Sequence, residues 1–509
     1  MNGLRTDEAL RGETIAMDAS LPRVRVTGSW IAAANEKLLL LLFLLTLPLA
    51  NPWVRGDGVG YYAYLRSTLI DHDLRFENDY LAANESFVMA HIDSQGHLLP
   101  TLYTRTGYIQ NHFSVGPALL WAPVMLAVHT AVLSADHFGA HVPADGYSRP
   151  YLMAMAFTTA SYGFLSLLLS FWIARKFFDG LWAFLATIGI WAASSLPIYM
   201  YFNPSWSHAF SAFTVALFLW YWERTRLRRT AAQWAVLGLL AGLMGNVYYP
   251  NAIFLVFPVL EVAHLLFIKR EDAGSQDRGI RHMAAGGGIF LVSFIVALLP
   301  TFITRQIIYG SPFQTGYPAI STWNWTSPVL LKVLFSSDHG MFSWTPVLIL
   351  AVAGLFFLMK RDKLLGAGCL LSFLAFYVFI ASYPDWDGLS SYGNRFFVSL
   401  TPIFILGLSA LFSSLSDWLG KTARAFAVAG AVLALLIVWN AGLIFQWGTH
   451  MVPARGEISW STMVRSQFVD VPLRVTHSLE SYFLHRGEMM QHIEQEDIDQ
   501  QKLEIKRGE

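Results

Sequence analysis

Long apolar runs separated by short polar loops fill most of the chain. About eleven of them approach the roughly 20 apolar residues that a helix needs to cross a bilayer. They fall near 36–53, 151–174, 181–199, 208–222, 232–249, 251–268, 283–303, 342–359, 364–382, 395–415 and 424–446. A further apolar stretch, 116–134, carries Pro117, Pro123 and His129. Lys and Arg gather in alternate loops: Arg175 and Lys176; Arg224, Arg226, Arg228 and Arg229; Lys269, Arg270, Arg278 and Arg281; Lys360, Arg361 and Lys363; Lys421 and Arg424. The loops between them, 199–207, 246–251, 305–344 and 382–394, are poor in Lys and Arg and rich in aromatics, Asn, Pro and Gly. Basic residues in short loops mark the cytoplasmic side. The alternation therefore predicts an all-α polytopic membrane protein with about eleven crossings, its N-terminus inside and its C-terminus outside.

Parity then constrains 116–134. The run 36–53 leaves the cytoplasm, and 151–174 must return to place Arg175 inside, so an even number of crossings lies between. The stretch is thus expected to be re-entrant or interfacial. The organisation that follows is a cytoplasmic segment 1–35, a transmembrane domain 36–446 with a long first external loop at about 54–150, and an external tail 447–509. The tail ends in a polar, charged stretch expected to be a solvated helix or disordered.

Composition narrows the function classes. Lys+Arg 35 balance Asp+Glu 35, and charged residues make up 14% of the chain. Soluble globular chains carry roughly 25%, so a cytosolic enzyme, a disordered protein and a basic nucleic-acid binder are excluded. The single cysteine, Cys369, lies in an apolar run and permits neither an intramolecular disulfide nor a thiolate metal site. The histidines form no H-E-x-x-H or other metal-ligand spacing.

Polar groups suited to chemistry cluster in the external loops. Asp57 stands in Arg55-Gly56-Asp57-Gly58, just beyond the first run, and Tyr61 and Tyr62 follow. A carboxylate there can take a proton from a hydroxyl, or it can cap a helix that starts beyond it. Asp71 and Asp73 form a D-x-D pair that suits a divalent ion or a solvated turn. His112 sits where polar residues run into the apolar stretch, as a headgroup ligand or a cap. His208 stands at the mouth of a run, where polar groups tend to be functional. Arg395 opens another run on the side where arginine is not expected. It calls for an anionic partner, either Asp385 or Asp387 in the preceding loop or a phosphate, which guanidinium binds well. Arg305 in the loop 305–344 is a weaker candidate for the same task.

Taken together, Gly56-Asp57-Gly58 with Tyr61-Tyr62, the long first external loop with its surface helices, and the stretch from Trp386-Asp387-Gly388 to Gly393-Asn394-Arg395-Phe396-Phe397 resemble the GT-C superfamily of membrane glycosyltransferases. Within it, they resemble bacterial relatives of protein O-mannosyltransferases and aminoarabinose transferases. That resemblance implies an inner-membrane enzyme that takes a sugar from a polyprenyl-phosphate carrier on the external face. The sugar passes with inversion to an envelope glycolipid, polysaccharide or protein. Asp57 would be the base and Arg395 the partner of the departing phosphate, with Arg305 or His208 assisting. Tyr61, Tyr62 and Trp386 would face the sugar. Gly58 stands where many relatives carry a second acidic residue, and Asn203 and His208 stand where some carry a metal ligand. The implied site works without a metal, with a divalent cation as the alternative. Outside this class, a transporter or flippase of lipid-linked substrates is the competing reading. Few ionisable groups lie within the runs, chiefly Glu261 and His264.

Overall fold

Every run that hydropathy marks as membrane-spanning is helical. The computed structural model describes residues 29–268 and 273–507. Most of the expected cytoplasmic segment 1–35 and the basic pair Lys269 and Arg270 lie outside the described residues. The chain opens with α1 (Ser29–Thr46), and four helices follow in the first loop: α2 (Asp57–Arg66), α3 (Glu77–Leu81), α4 (Glu85–His91) and α5 (Gly116–His137). Next come α6 (Arg149–Phe177), α7 (Gly180–Ala193), α8 (His208–Thr225), α9 (Ala231–Val247), α10 (Val256–Ile268), α11 (Ala273–Ala297) and α12 (Leu299–Tyr309). Two short helices, α13 (Leu330–Phe335) and α14 (Met341–Trp344), lead into α15 (Val347–Arg361), α16 (Lys363–Ser382), α17 (Thr401–Leu419) and α18 (Thr422–Gly448). The tail adds α19 (Trp460–Arg465), α20 (Val471–Leu484) and α21 (Arg486–Arg507). Among the described residues, β-structure is limited to two isolated bridges in the first loop.

Among the described residues, six helices are long and apolar enough to cross a membrane on their own, α5 included, and seven if the bent pair α11–α12 counts as one. Several of the other expected runs form shorter or broken helices. Proline has no backbone N–H and interrupts helical hydrogen bonding, whereas hydropathy counts residues straight through such breaks. The run 181–199 divides near Pro197, and α7 holds only 14 residues. The run 251–268 begins with a 3-10 turn at Pro250 and still passes as one of the six. At Pro300 the chain bends by 43° between α11 and α12.

Ion pairs fix which helix ends lie together. Glu36 of α1 meets Arg175 of α6 at 2.5 Å, Lys176 meets Glu223 of α8, and Arg226 meets Asp362 between α15 and α16. Arg229 and Glu261 form a buried pair at 2.7 Å. Three of the basic loops that alternate along the sequence thus reach one end of the bundle. Between the ends, α6 and α8 run side by side in the same direction, with Tyr162 against Phe213 and Trp172 against Trp220. α15 and α17 cross where Gly354 meets Gly407. A Cβ on Gly354 would lie 1.8 Å from the Gly407 carbonyl oxygen.

The opposite end carries the first loop. Here α5 corrects the re-entrant expectation, because it is one continuous helix of 22 residues with Pro123 inside it. It packs antiparallel on the first half of α6. The indole of Trp121 donates to Thr159 at 2.9 Å, and His129 bonds the Tyr151 hydroxyl at 2.7 Å. The chain before α5 is tied to α2 by Asn111, which donates to the Gly60 carbonyl at 2.8 Å. After α5 it returns to α2, where Tyr62 donates to the Gly146 carbonyl at 2.6 Å. A second apolar core, built on Tyr62, Tyr64, Phe76 and Trp121, holds these helices together.

The tail is more closely docked than its polar composition suggests. Its end is a helix with much of its surface exposed, but α21 also packs on α4. Glu494 accepts from the Ser86 backbone at 2.7 Å and from Asn84 at 3.0 Å. Arg486 donates to the carbonyls of Pro48 and Ala50, each at 2.7 Å.

Candidate functional site

Asp57 is the first residue of α2, where unpaired amides and the helix dipole favour a carboxylate. The cap position belongs to Gly56, whose φ of 54° is a left-handed conformation that suits glycine. α2 is pressed between two segments of chain. A Cβ on Gly58 would lie 1.9 Å from Ser205 Oγ, and one on Gly60 would lie 2.1 Å from the Phe113 ring. These glycines therefore let protein segments approach the helix.

Asp57 and Arg395 come together. Arg395 Nη1 lies 2.6 Å from Asp57 Oδ2, joining the first loop to the start of the 3-10 turn that leads into α17. The guanidinium lies over the Trp206 ring, 4.5 Å from its centroid. The Trp206 indole in turn donates to the Arg55 carbonyl at 3.1 Å. Arg395 Nε is buried with no hydrogen-bond partner. The pair lines a cavity of about 270 Å³ together with Arg55, Asn203 and Trp447. Two apolar cavities are also present, one of about 500 Å³ and one of about 570 Å³ that shares Arg55, Asn203 and Trp447 with the polar cavity. The smaller is lined by Tyr61, Tyr248, Tyr383 and Phe396.

The other candidates divide by position. Tyr61 receives a hydrogen bond from Ser207 at 2.9 Å and packs on Phe113. Burial and the neighbouring Asp57 raise its phenol pKa above the usual value. Tyr62, one residue on, points away from the cavity into the second core, edge-on to Trp121. It is not a sugar-facing surface. His112 packs against Phe113 and Tyr317, and burial lowers its pKa. His208 is buried beside Tyr199 and Trp206, and its Nδ1 has no partner.

Three expectations about charged partners are corrected. Arg305 is already engaged: it donates to the carbonyls of Asn111, His112 and Phe113 at 2.7–2.9 Å and to the Tyr249 hydroxyl. It clamps the strip before α5 and offers little to a phosphate. Neither Asp385 nor Asp387 pairs with Arg395; Asp57 does. Asp385 accepts the Gly388 amide through its carbonyl at 3.0 Å. Asp387 lies near Asp338 and raises its pKa, adding to the effect of burial. The loop 382–394 meets Arg395 through Gly388, whose Cβ position lies 3.3 Å from Arg395 Cγ and Nε. Asp71 and Asp73 also stay within their own turn, on Arg66, Asn78 and Ser67.

Sequence reasoning missed the site roles of Trp206, Trp447 and Arg55. The tryptophans resemble interfacial anchors in sequence, and Arg55 showed only its proximity to Gly56. Among the described residues, no group of three or more His, Cys, Asp or Glu is arranged to hold a metal.

No protein-family model matches the chain, and no curated protein matches it. Solved structures do. The apo oligosaccharyltransferase of Archaeoglobus fulgidus is similar at 15% identity and a TM-score of 0.48, covering 87% of this chain and 55% of that one. AglB of the same organism, in complex with an inhibitory peptide and a dolichol-phosphate, gives 11% and 0.47 over the same shares. ArnT from Cupriavidus metallidurans bound to undecaprenyl phosphate gives 14% and 0.43, covering 82% of this chain and 71% of that one. The chain spans about half the length of the archaeal enzymes, 55%.

Proposed function

We propose that the chain is an inverting glycosyltransferase of the inner membrane, moving a sugar from a polyprenyl-phosphate carrier to an envelope acceptor on the external face. The observation that carries this reading is the Asp57–Arg395 pair, set in a polar cavity beside an apolar one. Glycosyl transfer passes through an oxocarbenium-like state. It needs a base on the acceptor side and positive charge where the phosphate departs. Asp57 takes the acceptor hydroxyl proton as the new bond to the anomeric carbon forms. The bond from that carbon to the carrier phosphate breaks, and the phosphate leaves with the bonding electrons. Arg395 receives that charge. It uses one N–H on Asp57 and keeps Nε unpaired, so it can hold the carboxylate and still offer a donor to phosphate. The carrier chain would run into the cavity of Tyr61, Tyr248 and Phe396.

The topology belongs to the same proposal. About eleven crossings place the basic loops in the cytoplasm and the site outside, with α5 lying at the interface. Transfer would proceed without a metal and persist in EDTA.

The test uses the purified full chain in proteoliposomes, undecaprenyl-phosphate sugars labelled in the sugar, and an envelope extract. Wild type should form labelled product, and Asp57→Asn should form none while inserting normally. Full transfer by the variant, or flux of the carrier without a covalent product, would overturn the reading.

A further inference from the structure

α18 is one of the helices long and apolar enough to cross a membrane, and part of the tail lies along it rather than beyond its end. Gln467 stands in the π turn between α19 and α20. Its amide nitrogen donates to the backbone carbonyls of Val438 and Trp439 at 3.3 and 3.2 Å, and its oxygen accepts from Gln446 at 2.8 Å. Gly442 makes room for it: a Cβ there would lie 2.1 Å from the Gln467 amide nitrogen. The next residue, Phe468, meets the Trp439 ring, their centroids 6.4 Å apart.

These contacts fix a depth. The 27 residues of α18 make a helix of about 40 Å, roughly 10 Å more than the hydrocarbon core. Upright and centred, it would project about 5 Å at each end. The Trp439 carbonyl lies about 14 Å back from the Gly448 end, and so about 8 Å inside the hydrocarbon. An unbonded carboxamide at that depth is costly, and here both polar atoms of the Gln467 amide are bonded to α18.

The surface around Gln467 is apolar. Leu435 and Val438 of α18 are 72% and 68% exposed, and Phe468 beside them is 69% exposed. Val464 and Trp460, one and two turns earlier, are exposed as well. The face that α18 would turn to lipid thus continues onto the tail, and a patch of this kind marks a partner rather than water. α20 then divides into two flanks. At about 100° per residue, Arg474 and Phe483 stand on opposite sides of the helix, and both are exposed. That is the pattern of a helix lying in the membrane surface.

We infer that the tail from Trp460 to Leu484 is an interfacial membrane segment, with Val464, Phe468 and Phe483 against the acyl chains of the leaflet nearest the polar cavity. Trp447, near the end of α18, lines that cavity and marks the leaflet. The placement does not depend on the chain being a transferase. It bears on the site all the same. α20 leads into α21, which gives Asp497, Gln500 and Gln501 to the polar cavity, so the bilayer itself helps to hold one wall of the cavity.

The test is the collision accessibility of nitroxide labels on the purified full chain in phosphatidylcholine vesicles, with a nickel chelate on both sides. Labels at Val464→Cys, Phe468→Cys and Phe483→Cys, each with the buried native thiol removed by Cys369→Ala, should prefer oxygen to the chelate. Leu435→Cys on the exposed face of α18 sets the lipid reference. Arg474→Cys and Gly487→Cys should prefer the chelate, with an oxygen-to-nickel ratio several-fold lower. Three apolar positions keep the test from hanging on one variant folding. Chelate preference at Phe468 or Phe483 would make the tail a solvated segment and overturn the inference. Protection from both reagents would mean that a second copy of the chain covers this face, and would overturn it too. Oxygen preference at Arg474 would remove the two-sided orientation of α20. None of these outcomes depends on sugar transfer, so the inference and the glycosyltransferase reading stand or fall separately.

Discussion

Arg395 is buried and Asp57 only partly exposed, so each is the other's principal electrostatic compensation. Removing one member of such a pair leaves a charge without its counter-ion and costs more than the pair contributes. Asp57→Asn and Arg395→Gln should each lower the melting temperature by several degrees. The double variant should recover part of that loss, while transfer stays absent in all three. A thermal-shift cycle with parallel activity assays checks this. Additive stability losses would mean that the two side chains do not interact. Asp79 gives a pH-dependent case. Its side chain is buried, Tyr147 donates to it at 2.8 Å, and burial raises its pKa to about 6. Between the ordinary value of 3.8 and about 6, the folded state keeps a proton that the unfolded state has released. Stability from this group is therefore full below 3.8 and falls as pH rises towards 6. Asp79→Asn should melt above wild type at pH 8, and the gap should close by about pH 4, a trend that unfolding scans at the two pH values would show. A gap independent of pH would place the effect in packing instead.

At the scale of elements, α2 delivers Asp57 because glycine lets it lie flat against residues 205–206. Gly58→Ala would drive a methyl into Ser205 Oγ at 1.9 Å and Ser205 Cβ at 2.5 Å. The helix would have to shift from Trp206, on which Arg395 rests. We expect a loss of transfer of at least about ten-fold together with lower stability. Adding Ser205→Gly should restore part of both, as activity and melting curves of the single and double variants would reveal. This contact is also where sequence reading reached its limit. The helices were legible because apolar runs are long and punctuated by polar loops, Asp57 because it stands between glycines just beyond the first run, and Arg395 because it is a charge on the side where arginine is not expected. Their pairing with each other was not, since Asp385 and Asp387 are far closer to Arg395 in sequence. Arg305 misled for a related reason: its partners are mainly backbone carbonyls, which leave no mark on residue identity. Hydropathy likewise could not locate the breaks at Pro197 and Pro300, and a polar tail gave no sign that Glu494 would accept from α4.

Over the whole molecule, the contacts sort the chain into two ends and so make the topology testable. Arg175, Lys176, Arg226 and Arg229 find carboxylates at one end. At the other, α2 is held by Gly146 after α5, while Glu494 and Arg486 bring the tail onto the residues flanking α2. α5 has the length of a membrane span, roughly 33 Å at 1.5 Å per residue. Yet the chain just before it and the chain after it both touch α2. A helix crossing the full bilayer would deliver its C-terminal connection to the far face, away from α2. We therefore expect cysteines at His137 and Gly487 to react with a membrane-impermeant maleimide from one side of sealed vesicles, and a cysteine at Arg228 to react from the other. His137 and Arg228 are exposed, a Cβ on Gly487 meets nothing within 4 Å, and the native Cys369 is buried. In the proposed positive-inside topology, Arg228 would be the position that reacts from the cytoplasmic side. A cysteine at Gly96, which precedes α5 and whose Cβ would meet nothing within 4 Å, should react from the same side as His137; if the two reacted from opposite sides, α5 would be a true crossing and every later helix would invert relative to α2. Asp57 would then lie across the membrane from Arg395 and the tail, and the proposed donor site would have to be abandoned.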